Sequence, residues 1–129
     1  DLHKGIMHAD ELGATHIDII NALGGRMDHT MMNIRTLKMM HSENRKLRIL
    51  SSEQSLEFYK DCEIDLEGKV GDHIGIMAAP SAIVRSSGLK YDMDNVNLEW
   101  GVRESSSNSF AKENVWIKTE GGILLNIYL

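Results

Sequence analysis

The chain is poor in cysteine, proline and aromatic residues: its 129 residues include one cysteine, one proline, two tryptophans, three tyrosines and two phenylalanines. A single thiol, Cys62, excludes an internal disulfide, which is typical of proteins of the reducing cytoplasm. Cys62 alternates with Ile64 and Leu66, so we expect a buried structural thiol. The six histidines show no metal-ligand spacing, and no cysteine pair adds to them. We therefore expect a cytoplasmic protein without a zinc site.

Positive charge and long apolar runs are also missing. The formal net charge of -5 argues against a nucleic-acid-binding protein, which normally carries a basic patch. No apolar run approaches the roughly 20 residues that span a bilayer, and the opening Asp-Leu-His-Lys does not read as a signal peptide. The 42% hydrophobic and 26% charged content is typical of a soluble globular domain.

The first part of the chain alternates helical and strand patterns. Apolar spacing predicts a helix over residues 2–12, a strand over 17–22, a second helix from the glycine turn to about His41, and a strand over 47–50. This helix-strand-helix-strand order is typical of an α/β domain with parallel strands.

After residue 51 the pattern changes to short stretches with alternating apolar residues. The clearest is 96–102, and a turn is predicted at 120–122. The acidic residues at 61, 63, 65 and 67 alternate in the same way and predict a solvated sheet face. Such strands favour an antiparallel β-sandwich. The sequence thus predicts an α+β chain in two parts: part of an α/β domain over 1–51 and a β-sandwich over 52–129.

The turn between the first strand and the second helix carries Gly24, Gly25, Arg26 and Asp28. Glycines let backbone come close to a ligand, and the first amides of a helix have no partner in their own helix. Arg26 offers a planar guanidinium suited to phosphate, and Asp28 a carboxylate that can ligate a hard cation or orient a hydroxyl. The alternative is a turn glycine pair beside an ordinary surface ion pair.

Two further stretches could bind a ligand. Residues 88–93, Gly-Leu-Lys-Tyr-Asp-Met, place an aromatic ring and a lysine on a glycine-initiated turn. Residues 105–110 are a run of small hydrogen-bonding side chains that ends in phenylalanine. They are either a flexible serine loop or a polar lip that orients a small molecule on the aromatic platform.

Three spaced segments resemble the signature of thiamine pyrophosphokinase: Gly-Gly-Arg-Met-Asp-His (24–29) with Asn33, Gly-Leu-Lys-Tyr (88–91) and Ser-Ser-Asn-Ser (106–109). The resemblance implies an α/β catalytic domain followed by a β-sandwich. It also implies a homodimer that binds thiamine between the α/β domain of one subunit and the sandwich of the other. Such enzymes transfer the pyrophosphoryl group of ATP to the thiamine hydroxyl with magnesium and release AMP.

The resemblance also implies roles for individual residues. Asn21 stands where the family usually has glycine. The implied metal ligand is Asp1; the implied nucleotide-binding residues are Lys4, Gly24, Gly25 and Arg26; the implied catalytic residues are Arg26 and Asp28; the implied thiamine-binding residues are Tyr91, Ser107 and Asn108.

The chain opens on Asp1 rather than methionine, so we expect the C-terminal part of a longer protein. The upstream family loop that carries most of the metal-binding carboxylates is not in this sequence. Two alternatives to the enzyme stay open: a non-catalytic thiamine-binding module, and a structural β-sandwich that serves for dimerisation.

Overall fold

The computed structural model describes residues 2–129, in two helices and seven strands. Asp1, the predicted metal ligand, lies outside the described residues. The elements in chain order are α1 Leu2–Glu11, β1 His16–Ile19, α2 Met27–Met39, β2 Lys46–Leu50, β3 Gln54–Glu67, β4 His73–Ser87, β5 Val96–Glu99, β6 Ser105–Ser109 and β7 Asn114–Tyr128. Neither helix is long and apolar enough to cross a membrane.

All seven strands belong to one mixed sheet, in the order β1-β2-β3-β7-β4-β5. Only β1 and β2 are parallel; the other pairs are antiparallel. The outer edge of β4 is shared, because its first residues pair with β6 and its later residues with β5. The predicted parallel pair is thus confirmed, and the sheet continues from β2 into β3 without a break.

The two helices cover one face of the sheet. Ile6 of α1 and Leu37 of α2 are buried with Ile19, Ile49 and other side chains of β1, β2, β3 and β7 in a first core. The helix predicted after the glycine turn forms at the expected place. It begins at Met27, where the glycine pair has reversed the chain. Methionines of its first turns stay exposed.

Three long strands, β3, β7 and β4, carry one irregularity each, and these lie side by side. Asp61 has φ of 49° and interrupts the β3–β7 register; Gly121 has φ of 94°; the β4–β7 register shifts between Ala78 and Ala82. The Gly121 amide donates to Asp61 Oδ1 at 2.7 Å. We call this line of irregularities the kink. A side chain at Gly121 would place its Cβ 2.4 Å from the Ser81 carbonyl oxygen, so β7 and β4 come into close contact there.

The sequence prediction is wrong at three places, and the kink explains two of them. Residues 120–122 form no turn but lie inside β7, because the glycines allow a bend between paired strands. Residues 54–67 form one long strand, β3, rather than the short strands predicted after residue 51. The strand predicted over 96–102 ends at Glu99, since Trp100 and Val102 lie in an exposed turn closed by a Glu99–Arg103 bridge.

The strands that cross the kink have apolar side chains on both faces. Leu124 of β7 packs in the first core, whereas Ile123 and Leu125 pack in a second core with Ile76, Ile117 and other residues. Cys62 packs against the second core, and burial raises the pKa of its thiol. The exposed acidic face over 61–67 is as expected. The fold is therefore a mixed seven-stranded sheet with two helices; its division at residue 51 stays a prediction.

We expect Gly121→Ala to destabilise the fold by more than about 3 kcal/mol, because it combines an unfavourable φ with a backbone clash. Gly71→Ala is the matched control. Gly71 has φ of 96° but open space around it, so only the backbone term, about 1–2 kcal/mol, is expected. Urea unfolding of both variants measures the difference. Equal losses would contradict a close contact at the kink.

Candidate functional site

The glycine turn follows β1 and leads directly into α2. Gly24 and Gly25 have φ of 89° and 70°, and no atom lies within 4 Å of a Cβ built on either. Arg26 is the N-cap residue, in extended backbone conformation and without a side-chain capping bond. The helix start is thus open to solvent on the side where the glycines lie, as an anion-binding turn requires.

Two side chains of α2 hold the carbonyl groups of this turn. Thr30 Oγ1 donates to the Gly24 oxygen at 3.0 Å, and Asn33 Nδ2 donates to the Ala22 oxygen at 2.9 Å. Asn21 has φ of 57°, a conformation that asparagine tolerates better than most residues other than glycine. Asparagine is therefore compatible with the position where the resemblance expects glycine.

Arg26 and Asp28 form a two-point ion pair at the turn. Arg26 Nε donates to Asp28 Oδ1 at 3.2 Å and Nη2 to Oδ2 at 2.7 Å, and the His29 amide also donates to Oδ1 at 2.9 Å. The Arg26 guanidinium is the main cause that lowers the pKa of Asp28 below its ordinary value. Both side chains are exposed, by 71% and 62%, so a ligand could reach either.

The contacts among the described residues do not test the predicted phosphate role of Lys4 or the predicted magnesium site. Lys4 lies on the exposed side of α1, and its phosphate role stays a prediction. Among residues 2–129 no group of three or more His, Cys, Asp or Glu could hold a metal ion. The Asp28 carboxylate is already engaged by Arg26 and His29. Magnesium binding by this chain stays a prediction.

A groove of about 400 Å³ lies beside the loop at 88–93. It brings together the three residues predicted to bind thiamine, Tyr91, Ser107 and Asn108, with Arg103 and Glu104 nearby. The Tyr91 side chain is 60% exposed, and Lys90 Nζ lies 5.3 Å from its ring centroid. Residues 105–109 are a strand that pairs with β4 rather than a flexible loop. The groove thus has an ordered polar wall and an accessible aromatic ring.

Asn108 is buried, with 1% of its surface exposed. Its Nδ2 donates to the Tyr91 oxygen at 2.8 Å and to Ser105 Oγ at 3.1 Å, and its Oδ1 accepts from the Tyr91 amide at 3.0 Å and the Ser109 amide at 2.9 Å. Both amide hydrogens are therefore used within the protein. Asn108 shapes the groove by holding the backbone of Tyr91.

Sequence reasoning overlooked Asp92, which lines the groove and accepts hydrogen bonds from the loop backbone. The sequence feature that could have indicated Asp92 is an aspartate in a glycine-initiated turn, because aspartate side chains often accept hydrogen bonds from nearby backbone amides of a turn. Ser105 was part of the serine run but was not singled out. Its hydroxyl accepts from Asn108.

A second charged cluster lies on β1 and β2. Asp18 accepts from Arg48 Nε at 2.8 Å and Nη2 at 2.9 Å, and lies 2.9 Å from His16 Nε2. Arg48 is the largest cause that lowers the pKa of Asp18. Asp18 and Arg48 are partners in the strand register, so we interpret the cluster as a cross-strand ion pair that stabilises the sheet.

The turn and the groove lie towards opposite edges of the sheet. The turn follows β1, the groove is lined by β6 and the loop before β5, and β2, β3, β7 and β4 lie between them in strand order. The glycine turn at the end of a parallel strand and the groove beside Tyr91 are therefore two separate candidate sites on one sheet.

Comparison with known proteins shows which family the chain resembles. Residues 61–124 match the family model described as thiamin pyrophosphokinase, vitamin B1 binding domain. Thiamine pyrophosphokinase 1 of rice (Oryza sativa subsp. japonica) is 31% identical, over all of this chain and 53% of its own length. Thiamin pyrophosphokinase 1 of Caenorhabditis elegans is 29% identical, over 88% of this chain and 49% of its own. The chain belongs to the thiamine pyrophosphokinase family.

Solved structures have the same fold. The thiamine pyrophosphokinase of Bacillus subtilis superposes with a TM-score of 0.87 at 24% identity, over 99% of this chain and 62% of that one. Yeast thiamin pyrophosphokinase superposes with a TM-score of 0.71 at 27% identity, over 86% of this chain and 39% of its own. The chain spans about half the length of the curated relatives it matches.

We expect Arg26→Gln to raise the pKa of Asp28 towards its ordinary value, because the guanidinium that stabilises the ionised carboxylate is removed. Carboxyl-carbon NMR titration measures this directly. Arg85→Gln is the matched control, since Arg85 lies 3.9 Å from the exposed Asp94 and on a different element. A pKa of Asp28 that stayed low in Arg26→Gln would contradict the ion pair described here.

Proposed function

We propose that this chain provides the thiamine-binding groove, and the Gly-Gly-Arg side of the nucleotide site, of a thiamine pyrophosphokinase. The observation that carries the proposal is the groove beside Tyr91, whose aromatic ring and polar strand lie within the 61–124 vitamin B1-binding match. The proposed reaction transfers the pyrophosphoryl group of ATP to thiamine, giving thiamine diphosphate and AMP.

The groove suits the chemistry of thiamine. The vitamin has two flat rings, one of them a cationic thiazolium, and an aromatic face attracts both flat rings and cations. Tyr91 is the accessible ring, and Ser107, which is also exposed, lines the same groove. Arg103 and Glu104 also line the groove, so its wall carries charges of both signs. Asn108 holds the Tyr91 backbone so that the ring lies against the groove.

The glycine turn suits the phosphate side. In the proposed step the thiamine hydroxyl oxygen forms a bond to the β-phosphorus of ATP, and the bond from that phosphorus to the α,β-bridging oxygen breaks. AMP leaves with the bonding electron pair, and the hydroxyl proton passes to Asp28 or to water. Such transfers depend on positioning and on charge beside the phosphate oxygens.

Arg26 and Asp28 can act in this step without first separating. The guanidinium has five N–H groups, and those of Nη1 are not used in the pair with Asp28. They remain able to donate to phosphate oxygens. The Asp28 carboxylate is ionised at neutral pH, and Arg26 lowers its pKa further, so it can accept a hydrogen bond from the hydroxyl and orient it.

The separation of the turn and the groove in strand order supports a homodimer. The turn and the groove are separated by four strands in one chain, so a molecule of thiamine in the groove does not meet the turn of the same chain. We propose that the groove of one chain faces the turn of a second copy. The exposed Trp100 and Val102, and Met27 and Met31 beside the turn, supply apolar surface for such contact.

Three further expectations belong to the proposal. ATP is the proposed donor of the pyrophosphoryl group. A cytoplasmic location is proposed because the chain has a single cysteine. Magnesium stays a prediction; its proposed ligand Asp1 lies outside the described residues, and no step above passes through the cation. The alternatives are a non-catalytic thiamine-binding module and a structural β-sandwich.

We expect the 129-residue chain to bind thiamine saturably in isothermal titration calorimetry. Tyr91→Ala should weaken binding about tenfold, because stacking and cation–π contact with an aromatic ring contribute about 1–2 kcal/mol. Tyr128→Ala is the matched control, since Tyr128 is also exposed but lies outside the groove. No binding at millimolar thiamine by the folded chain would contradict the proposal and favour the structural β-sandwich.

The enzyme and the thiamine-binding module are distinguished by thiamine-dependent release of AMP from ATP, measured on the full-length polypeptide that contains this chain. Arg26→Ala should reduce the rate while leaving thiamine affinity unchanged. Thiamine binding without AMP release would favour the non-catalytic module.

A further inference from the structure

The loop that presents Tyr91 has almost all of its backbone amides in defined hydrogen bonds. Within 88–93, the Lys90 amide donates to the Ser109 oxygen at 2.9 Å and the Tyr91 amide to Asn108 Oδ1 at 3.0 Å. The Met93 amide donates to Ser86 Oγ at 2.9 Å. The exposed tyrosine side chain therefore projects from a fixed backbone rather than from a mobile loop.

The start of this loop is fixed by Asp92. Its Oδ2 accepts from the Gly88 amide at 3.2 Å, and its Oδ1 accepts from the Leu89 amide at 3.0 Å and from Ser86 Oγ at 3.0 Å. The carboxylate therefore bridges the end of β4 and the first two residues of the loop. These are charge-assisted hydrogen bonds, which are stronger than bonds between neutral groups.

The backbone conformation and close contacts of Gly88 also fix the start of the loop. It has φ of 97°, and a Cβ there would lie 2.6 Å from the Asn114 oxygen. Its own oxygen accepts from the Ala111 and Lys112 amides at 2.8 and 3.1 Å. Gly88 is thus held against the segment before β7. Asp92 then fixes the direction in which the loop leaves Gly88 towards the groove.

We propose that Asp92 is the positioning residue that preorganises Tyr91 for thiamine; this inference rests on the function proposed above. Asp92 and Asn108 hold the loop from its two ends, at Gly88–Leu89 and at Tyr91. With the backbone fixed at both points, the loop loses little backbone conformational entropy when a ligand binds to Tyr91, and a preorganised site binds more tightly.

The test compares Asp92→Ala and Asp92→Asn with Asp94→Ala. Asp94 is a matched control two residues away, with a side chain that is 87% exposed. Each full chain is measured for thiamine affinity by calorimetry, for amide hydrogen exchange by NMR, and for its urea midpoint. Exchange at Gly88, Leu89 and Tyr91 is compared with exchange at Ile117, which lies in the buried core.

Asp92→Ala is expected to weaken thiamine binding about tenfold, as for a loss of about 1.4 kcal/mol, and to accelerate exchange at the three loop amides but not at Ile117. Asp92→Asn retains an oxygen acceptor for Leu89 and Ser86 but turns an NH2 group towards the Gly88 amide, so its effects should be smaller than those of Asp92→Ala but still measurable, most of all at the Gly88 amide. Asp94→Ala should match the unsubstituted chain. This ordering distinguishes positioning from a general loss of stability, which would accelerate exchange at Ile117 as well.

Unchanged affinity and unchanged loop exchange in Asp92→Ala would overturn the inference while thiamine binding by the parent chain still stood. If Asp92→Ala does not fold, Asp92→Asn decides: wild-type affinity and exchange in that variant would overturn the inference. Absence of thiamine binding in the parent chain would instead overturn the proposed function. The exchange rates alone would then decide whether Asp92 holds the loop.

Discussion

The close contact of β7 with β4 and β3 at the kink is the constraint on which the rest of the structure depends. A glycine at 121 lets the β7 backbone lie against Ser81, and Asp61 holds the Gly121 amide from the other side. The bend allows the same three strands to face the helices at one end and close a second core at the other. The turn and the groove are therefore built on one continuous sheet.

Both halves of the candidate site follow one physical pattern, in which polar side chains hold backbone groups and leave the functional side chains exposed. At the turn, Thr30 and Asn33 engage carbonyl oxygens, and the guanidinium of Arg26 stays accessible. At the groove, Asp92 and Asn108 engage amides, and the ring of Tyr91 stays accessible. Rigid backbone with accessible side chains is what preorganised binding requires.

Local patterns predicted what depends on local interactions. The helices, the parallel pair and the turn at Gly24 follow from periodicity and from glycine, which act over a few residues. The bend at Gly121 could not be recognised, because a glycine pair reads as a hairpin turn unless the flanking strands are known to continue. The serine run at 105–109 is polar, and its strand conformation comes from pairing with distant β4. Asn108 was found only through the resemblance, and burial of its amide depends on contacts with the loop at Tyr91.

The position of β7 has a consequence for how the chain is made. β7 is the last of the seven strands in chain order, yet it lies in the middle of the sheet, between β3 and β4. During synthesis, these two long strands leave the ribosome with no common partner, and their apolar faces and unpaired edges stay uncovered until β7 follows. Unpaired strand edges promote association between chains. Until residues 114–128 have been made, the inner edges of β3 and β4 lack their strand partner, and the nascent chain is more prone to associate with other chains.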